Sequence, residues 1–262
     1  MVFGPEITGI LDSFHPVRME EIDHVRLMNR VDTKFISSLG KLPGILSGMN
    51  GTYKVLEVNG ERLSSYHNTY LDTNDFLFFN QHVTGKLERN KVRYRKYEST
   101  GVTFLEVKKR TNKNRTVKWR IENNLTVASH CDEEGLEFIK EYIPISFFPL
   151  EPTLINRFQR ITLIGSDIKE RITIDFDLSY SDTEGNQTSL PFIFIIELKQ
   201  DIHSELSPLK TILKGFSIRP VSFSKYCYGT AMLYDIPRKN MLKPIILLLN
   251  KIENEYNRCI FT

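Results

Sequence analysis

Apolar and polar residues alternate with a period of two through most of this chain, the pattern of a strand with one apolar face. It predicts strands over 30–37, 53–58, 64–72, 92–98, 103–109, 116–121, 153–164, 170–180 and 192–200. A period closer to 3.6 predicts helices over 19–25, 41–49, 132–142, 206–213 and 223–234. Turn residues punctuate the strands: Asn59-Gly60 has the chemistry of a two-residue hairpin turn, and 98–101, 111–114 and 165–167 are rich in Gly, Ser, Thr, Asn and Asp. Short strands mostly joined by such turns predict an α+β, mainly β protein, an antiparallel barrel with flanking helices.

With 262 residues, 40% hydrophobic and 26% charged, the chain is long enough for a substantial core and ordinary for a soluble globular protein. Its organisation reads as a lead segment and helix over 1–24, a main domain over 25–235 and a tail or helix over 236–262. Cys131, Cys227 and Cys259 have no disulfide or zinc spacing, which suits a reducing cytoplasm. The N-terminus has neither the basic nor the apolar part of a secretory signal, and the apolar run 244–249 is far too short to span a membrane. A net charge of +3 creates no global field for nucleic acid, so any anion preference must come from local clustering.

That clustering lies on the polar strand faces. Lys91, Arg93 and Arg95 share one face against Val92 and Tyr94, and Glu106 and Lys108 oppose Leu105 and Val107. Lys118 and Arg120 alternate with Val117 and Trp119. Arg171, Thr173, Asp175 and Asp177 alternate with Ile172, Ile174 and Phe176, Glu197 and Lys199 with Ile196 and Leu198, and Asp32 and Lys34 with Thr33 and Phe35. One such face is ordinarily a wet sheet surface. The recurrence, with Arg prominent and cations outnumbering carboxylates, points instead to a barrel whose charged faces turn inward around a guest anion, because the Arg fork suits phosphate oxygens. The carboxylates Glu106, Asp175, Asp177 and Glu197 then either balance charge or hold a hard divalent cation, Mg²⁺ or Mn²⁺, that bridges to substrate phosphates. Glu197 is the best placed for the second role.

In order and spacing, Arg30-Val-Asp-Thr-Lys34-Phe35, Tyr70-Leu-Asp-Thr73, His82-Val-Thr-Gly-Lys86, and Arg89-Asn-Lys-Val-Arg93-Tyr-Arg95-Lys-Tyr97 are followed by a second set of motifs. These are Phe104-Leu-Glu106-Val-Lys108, Lys118-Trp-Arg120, Asn156-Arg157, Arg171-Ile-Thr-Ile-Asp175, Ile196-Glu197-Leu-Lys199 and Ser224-Lys225-Tyr226. The ordered set resembles the VTC (vacuolar transporter chaperone) domain, the polyphosphate polymerase branch of the triphosphate tunnel metalloenzymes, a CYTH-like superfamily. The resemblance implies a tunnel of eight antiparallel strands, a divalent metal, and transfer of the γ-phosphate of ATP to a growing inorganic polyphosphate chain. By motif it implies phosphate contacts from Lys34, Arg93, Arg95, Lys108, Lys118, Arg157, Arg171 and Lys225, and a metal at Glu197. Glu106, Asp175, Asp32 and Lys199 are weaker candidates for the lumen. The charged faces add Lys91 and Arg120 as phosphate contacts.

The remaining expectations are plainer. His82 reads as a loop residue between two strands, the tyrosines at 94, 97, 226 and 228 as core, and Ser224 as a helix N-cap that would aim a helix N-terminus and Lys225 at a phosphate. A triphosphatase of the same tunnel class and a non-catalytic polyphosphate- or nucleotide-binding module are the alternatives. Nucleic acid is not expected, as no basic and aromatic platform for single strands is present.

Overall fold

The structure is a computed structural model that describes residues 4–25, 30–113, 115–123, 131–201 and 207–260. Helix α1 (Gly4–Asp12) and the short strand β1 (Pro16–Val17) lead, through a 3-10 stretch Met19–Val25, into β2 (Arg30–Ser38). Next come α2 (Leu42–Met49), β3 (Tyr53–Leu56), β4 (Ser64–Asp72) and α3 (Leu77–Val83). The meander β5 (Arg89–Tyr97), β6 (Thr103–Arg110), β7 (Thr116–Glu122) precedes α4 (Glu133–Tyr142). Three long strands, β8 (Glu151–Gly165), β9 (Glu170–Ser181) and β10 (Gln187–Asp201), are followed by α5 (Pro208–Gly215), α6 (Lys225–Leu233) and α7 (Lys243–Ile260). Leu206, expected to open the helix that became α5, and Asn114, expected in a turn, lie outside the described residues. No described helix is long and apolar enough to cross a membrane.

Eight strands hydrogen-bond in the order β2-β10-β9-β8-β4-β5-β6-β7, each neighbouring pair antiparallel. The end strands β2 and β7 are not paired with each other among the described residues. All eight nevertheless contribute to the wall of one central cavity, so the sheet wraps into a tunnel without a final hydrogen-bonded seam. The segment after α5 covers the free side of β2: the Val221 N–H donates to the Lys34 carbonyl, and Phe35 pairs with Pro220. This satisfies part of an edge that would otherwise be left open.

Side-chain parity sorts the strands into an outer apolar face and an inner face of mixed character. Outside, Phe35, Ile161, Leu163, Ile172, Ile174, Phe176, Phe194, Ile196 and Leu198 pack with residues of α1, α2 and α5. Leu71, Val92, Tyr94, Leu105 and Val107 pack with Phe138 and Ile139 of α4. Inside, Tyr70, Leu154, Phe158 and Ile195 pack with Tyr226, Cys227 and Ala231 of α6 and with Ile245 and Leu249 of α7. Part of the lumen is therefore an apolar plug and the rest is the charged cavity. The backbone of α6 lies so close to the sheet that a Cβ at Gly229 would stand 2.5 Å from the Tyr180 ring and 2.8 Å from Leu154.

Four expectations are corrected. Residues 4–12 form a helix, because Pro5 falls in the first turn, where its missing N–H is harmless, and Ile7 and Leu11 bury one face. The stretch Met19–Val25 is 3-10 rather than α. His82 sits on α3 rather than in a loop, because Asp72 accepts hydrogen bonds from the Phe78 and Phe79 N–H groups and Thr73 Oγ1 accepts from Leu77, which together cap a helix inside the strand-to-strand connection. The Asn59-Gly60 turn forms with both residues at positive φ and with reciprocal Val58–Glu61 bonds of 2.9 Å, yet it does not join paired strands. β3 pairs with β1 and β8, while β4 pairs with β5 and β8.

Candidate active site in the tunnel

The cavity has a volume of about 1190 Å³ and is lined by eleven Lys or Arg side chains against three carboxylates. The register lines them up in rows across neighbouring strands. Lys91, Lys108 and Lys118 are direct partners on β5, β6 and β7. Like charges directly opposite one another on a sheet are destabilising, so this row weakens the empty protein. Neither Lys91 nor Lys108 has a carboxylate within ion-pair distance among the described residues. Lys91 donates to Ser224 Oγ at 3.3 Å and lies over the Tyr70 and Tyr226 rings. Burial in the tunnel, reinforced by Arg93 and Lys91, pushes the Lys108 ammonium down to about 7, although water still reaches it along the lumen.

The neighbouring row holds Arg93, Glu106 and Arg120 in register. Glu106 is 2% exposed; Arg93 donates to its Oε2 at 2.8 and 2.7 Å, and Lys118 donates to its Oε1. Burial alone would raise this carboxyl, but Arg93, Arg95 and Lys118 outweigh it and hold it well below the carboxylate range. Arg95 donates to Asn68 Oδ1 at 2.9 Å and lies over the Tyr66 ring.

On the opposite wall Arg160 makes a two-point contact with Asp175, at 2.6 and 2.8 Å, and Lys225 at the start of α6 donates to the same carboxylate. Burial opposes ionisation of Asp175, yet Arg160 and Lys225 bring it down to about 2. Ser224 caps α6 by accepting from the Cys227 N–H, so the helix N-terminus, Lys225 and Lys91 meet at the lumen.

Glu197 is held more loosely. Lys199 contacts Oε2 at 2.9 Å, while Oε1 has Lys34 at 3.7 Å. Burial again opposes ionisation, and Lys199 and Lys34 keep the carboxyl charged, well below its usual range. Asp32 also lines the cavity, two residues from Lys34 on the same face and opposite Lys199.

These geometries separate Glu106, Asp175 and Glu197, three of the four carboxylates offered for a metal. Both oxygens of Glu106 and both of Asp175 are taken up by cations at short range, so these two act as hubs of ion-pair clusters. Glu197 alone of the three keeps an oxygen with only a long contact. No group of three or more acidic, His or Cys side chains among the described residues gathers around a metal position. The donor set thus fits a hard cation bound through one or two carboxylates with the rest of its shell from substrate and water, as Mg²⁺ commonly is, and does not fit an all-protein cage.

Of the residues singled out from sequence, Lys34, Lys91, Arg93, Arg95, Lys108, Lys118, Asp175, Glu197, Lys199 and Lys225 line the cavity, and Glu106 lies just behind the wall. Arg157 does not: it is exposed on the outer face beside His67, whose imidazole is pushed down to about 4 by burial and then by Arg157. Its parity is that of Ile161 and Leu163, which pack outward. Arg120 is exposed, lies over the Phe104 ring at 4.5 Å and is not part of the wall. Arg171 is opposite Lys199 near the end of β9, also beyond the lining. Asp177 is exposed at φ 54, where a register shift breaks the alternation of β9.

Arg160 was not among the expected site residues, although counting back in twos from the polar Thr162 puts it on the inner face. Arg89 and Arg110, at the mouths of β5 and β6, also line the cavity. His82 does so too, its imidazole pushed down to about 2 by burial and then by Lys91 and Arg89.

Fold and site together define a β-tunnel protein with a cation-rich lumen. The chain belongs to the VTC domain family, whose model matches residues 29–234. Comparison with curated proteins finds no match. Among solved structures the chain is similar to HpAC1 from Hippeastrum, assigned as an adenylyl cyclase with a dominant triphosphatase activity, at 14% identity and TM-score 0.49, covering 80% of this chain and 98% of that one. It is also similar to two proteins assigned as adenylate cyclases. The one from Bacillus halodurans has 17% identity and TM-score 0.47, covering 75% of this chain and 94% of its own. The one from Vibrio parahaemolyticus has 11% identity and TM-score 0.46, with 76% and 97% covered.

Proposed function

We propose that the tunnel binds a triphosphate end and acts as a polyphosphate polymerase, transferring the γ-phosphoryl group of ATP to a growing inorganic polyphosphate chain. The observation that carries this reading is the Lys91–Lys108–Lys118 row. It is a line of cations on adjacent strands, two of them without carboxylate partners among the described residues, in a cavity enclosed by basic walls. Membership of the VTC family supports the same reading.

Phosphoryl transfer asks little covalent chemistry of a protein; it asks for charge neutralisation and in-line positioning. Arg93 and Arg95, oriented by Glu106 and Asn68, present planar donor forks to equatorial phosphate oxygens. Lys225 and the α6 N-terminus neutralise from the opposite wall, held in place by Asp175. Lys34, with Lys199 beside it, completes the cation ring. Lys91, Lys108 and Lys118 hold the neighbouring phosphates of the chain. A divalent cation, Mn²⁺ or Mg²⁺, fits at Glu197 with Asp32 nearby, where it would supply further neutralisation of the transferred group.

Incubating the purified chain with ATP and Mn²⁺ or Mg²⁺, followed by gel electrophoresis, tests the reading. A ladder of polymer supports the polymerase; free phosphate alone replaces it with a triphosphatase, and binding without turnover replaces it with a binding module. Lys34→Ala and Arg93→Ala are expected to abolish turnover with the fold retained. Unchanged turnover in both overturns the tunnel site. Glu197→Ala is expected to raise the metal concentration needed for half-maximal activity.

A further inference from the structure

A second cavity, of about 450 Å³, lies outside the tunnel at the free side of β2. Lys210 and Lys214 of α5 and Arg219 stand around it; Phe35, Ile218 and Pro220 form its apolar floor. All three cations are exposed, and none has a carboxylate within ion-pair distance among the described residues. Lys210 and Lys214 are four residues apart on one helix, where like charges repel. The turn that brings Arg219 to join them passes through Ser217 at φ 58, an unfavourable conformation for a residue with a side chain. The fold thus gathers three positive charges over an apolar floor, with no counter-charge at ion-pair distance among the described residues. A low-dielectric floor strengthens their field toward an anion.

The cavity's position also ties it to the tunnel. Pro220 lines both this cavity and the tunnel. The neighbouring Val221 also lines the tunnel and is tied to the Lys34 backbone, and the Lys34 side chain lies in the lumen. The outer cavity and the tunnel thus share the Pro220 segment in their walls.

We infer that Lys210, Lys214 and Arg219 form an outer docking station for the part of a linear polyphosphate chain that extends beyond the tunnel, crossing Pro220. The inference rests on the tunnel being a phosphate site, and it adds a chain-length preference that the tunnel alone does not predict. Short phosphates fill only the lumen. Long ones gain the outer contacts as well.

The test compares inorganic tripolyphosphate with long-chain polyphosphate, by calorimetry or by competition, for the wild type and for Lys210→Ala/Lys214→Ala/Arg219→Ala. The expected result is a fall in long-chain affinity on the order of tenfold with a shallower salt dependence, from the loss of three exposed phosphate contacts. Tripolyphosphate affinity is expected to stay unchanged, which also reports an intact fold. Lys210→Arg/Lys214→Arg is expected to retain long-chain affinity. Unchanged affinity for both ligands in the triple variant overturns the outer station and leaves the tunnel reading standing. An equal loss for both overturns it as well, because the residues would then act through the tunnel. Failure of the wild type to bind tripolyphosphate overturns the tunnel reading and this inference with it.

Discussion

Glu106→Gln separates a tunnel built around a guest anion from one that is merely an internal ion-pair network. The substitution keeps the size of the side chain and removes one negative charge from a site 2% exposed, where Arg93 and Lys118 contact both oxygens and Arg95 lies at 4.0 Å. Breaking a buried pair by removing one partner costs about 3–5 kcal/mol. Lys118 is one-third exposed and water relieves part of its loss, so the lower end, roughly 3 kcal/mol, is the expected destabilisation. For a domain of this size that is a fall in Tm of roughly 6–12 °C. The three cations, already in the proposed phosphate site, then face a bound anion without a competing carboxylate. Tripolyphosphate is accordingly expected to raise the Tm of the variant by more than it raises that of the wild type, because it replaces the missing charge. Thermal melts with and without tripolyphosphate, at fixed ionic strength, read both effects. A destabilised variant that gains no more from the ligand than the wild type does would refute the reasoning, since Arg93 and Lys118 would then not face the bound anion.

Three further outcomes are expected. Lys108, pushed down to about 7, is largely neutral in the empty tunnel above that pH, whereas a bound anion favours its charged form; wild-type affinity for tripolyphosphate should fall as pH rises from 7. Lys108→Arg should flatten this fall, and the difference between the two proteins, measured by calorimetry in buffers of different ionisation enthalpy, cancels the ligand's own titration. Asp175 is held at about 2 against an ordinary value of 3.8, so its contribution to stability is present above 3.8 and is lost as pH drops toward 2. Acid unfolding followed by circular dichroism should begin at higher pH in Arg160→Met, where this depression is relaxed. Tyr226→Phe removes the hydroxyl donor to buried Asp72, which also caps α3, and should cost about 1–3 kcal/mol with faster amide exchange in α6; exchange unchanged from wild type would refute that linkage.

The Asp72–Tyr226 bond also shows what a motif by itself does not disclose. Tyr70-Leu-Asp-Thr73 belonged to the set that matched the family, but Asp72 is a structural centre. Its oxygens collect the N-terminal N–H groups of α3 and the hydroxyl of α6, 154 residues away. No local pattern announces a bond of that span. The helix α3 was missed for a related reason, because its cap comes from the end of the preceding strand and its seven residues carry too little periodicity to stand out.

What the sequence determined by itself is the identity of the strands and, through their period of two, which residues share a face. Successive side chains on a strand must point to opposite sides, so Lys91, Arg93 and Arg95 could not be separated by any tertiary arrangement that kept the strand. The same parity excludes Arg157 from the lumen and admits Arg160, given only that Ile161 and Leu163 pack outward. The tertiary structure decided which way each face turned, and which strands became neighbours. The Asn59-Gly60 turn formed as its chemistry requires, yet β3 and β4 went to different partners, because pairing is selected by burial of whole faces and not by the turn between them. The same selection placed Lys91, Lys108 and Lys118 side by side and left Glu197 with one loosely held oxygen. Charge density was a property of the strands. That no carboxylate among the described residues reaches ion-pair distance of Lys108 arose only when the sheet curved and set one basic wall against another.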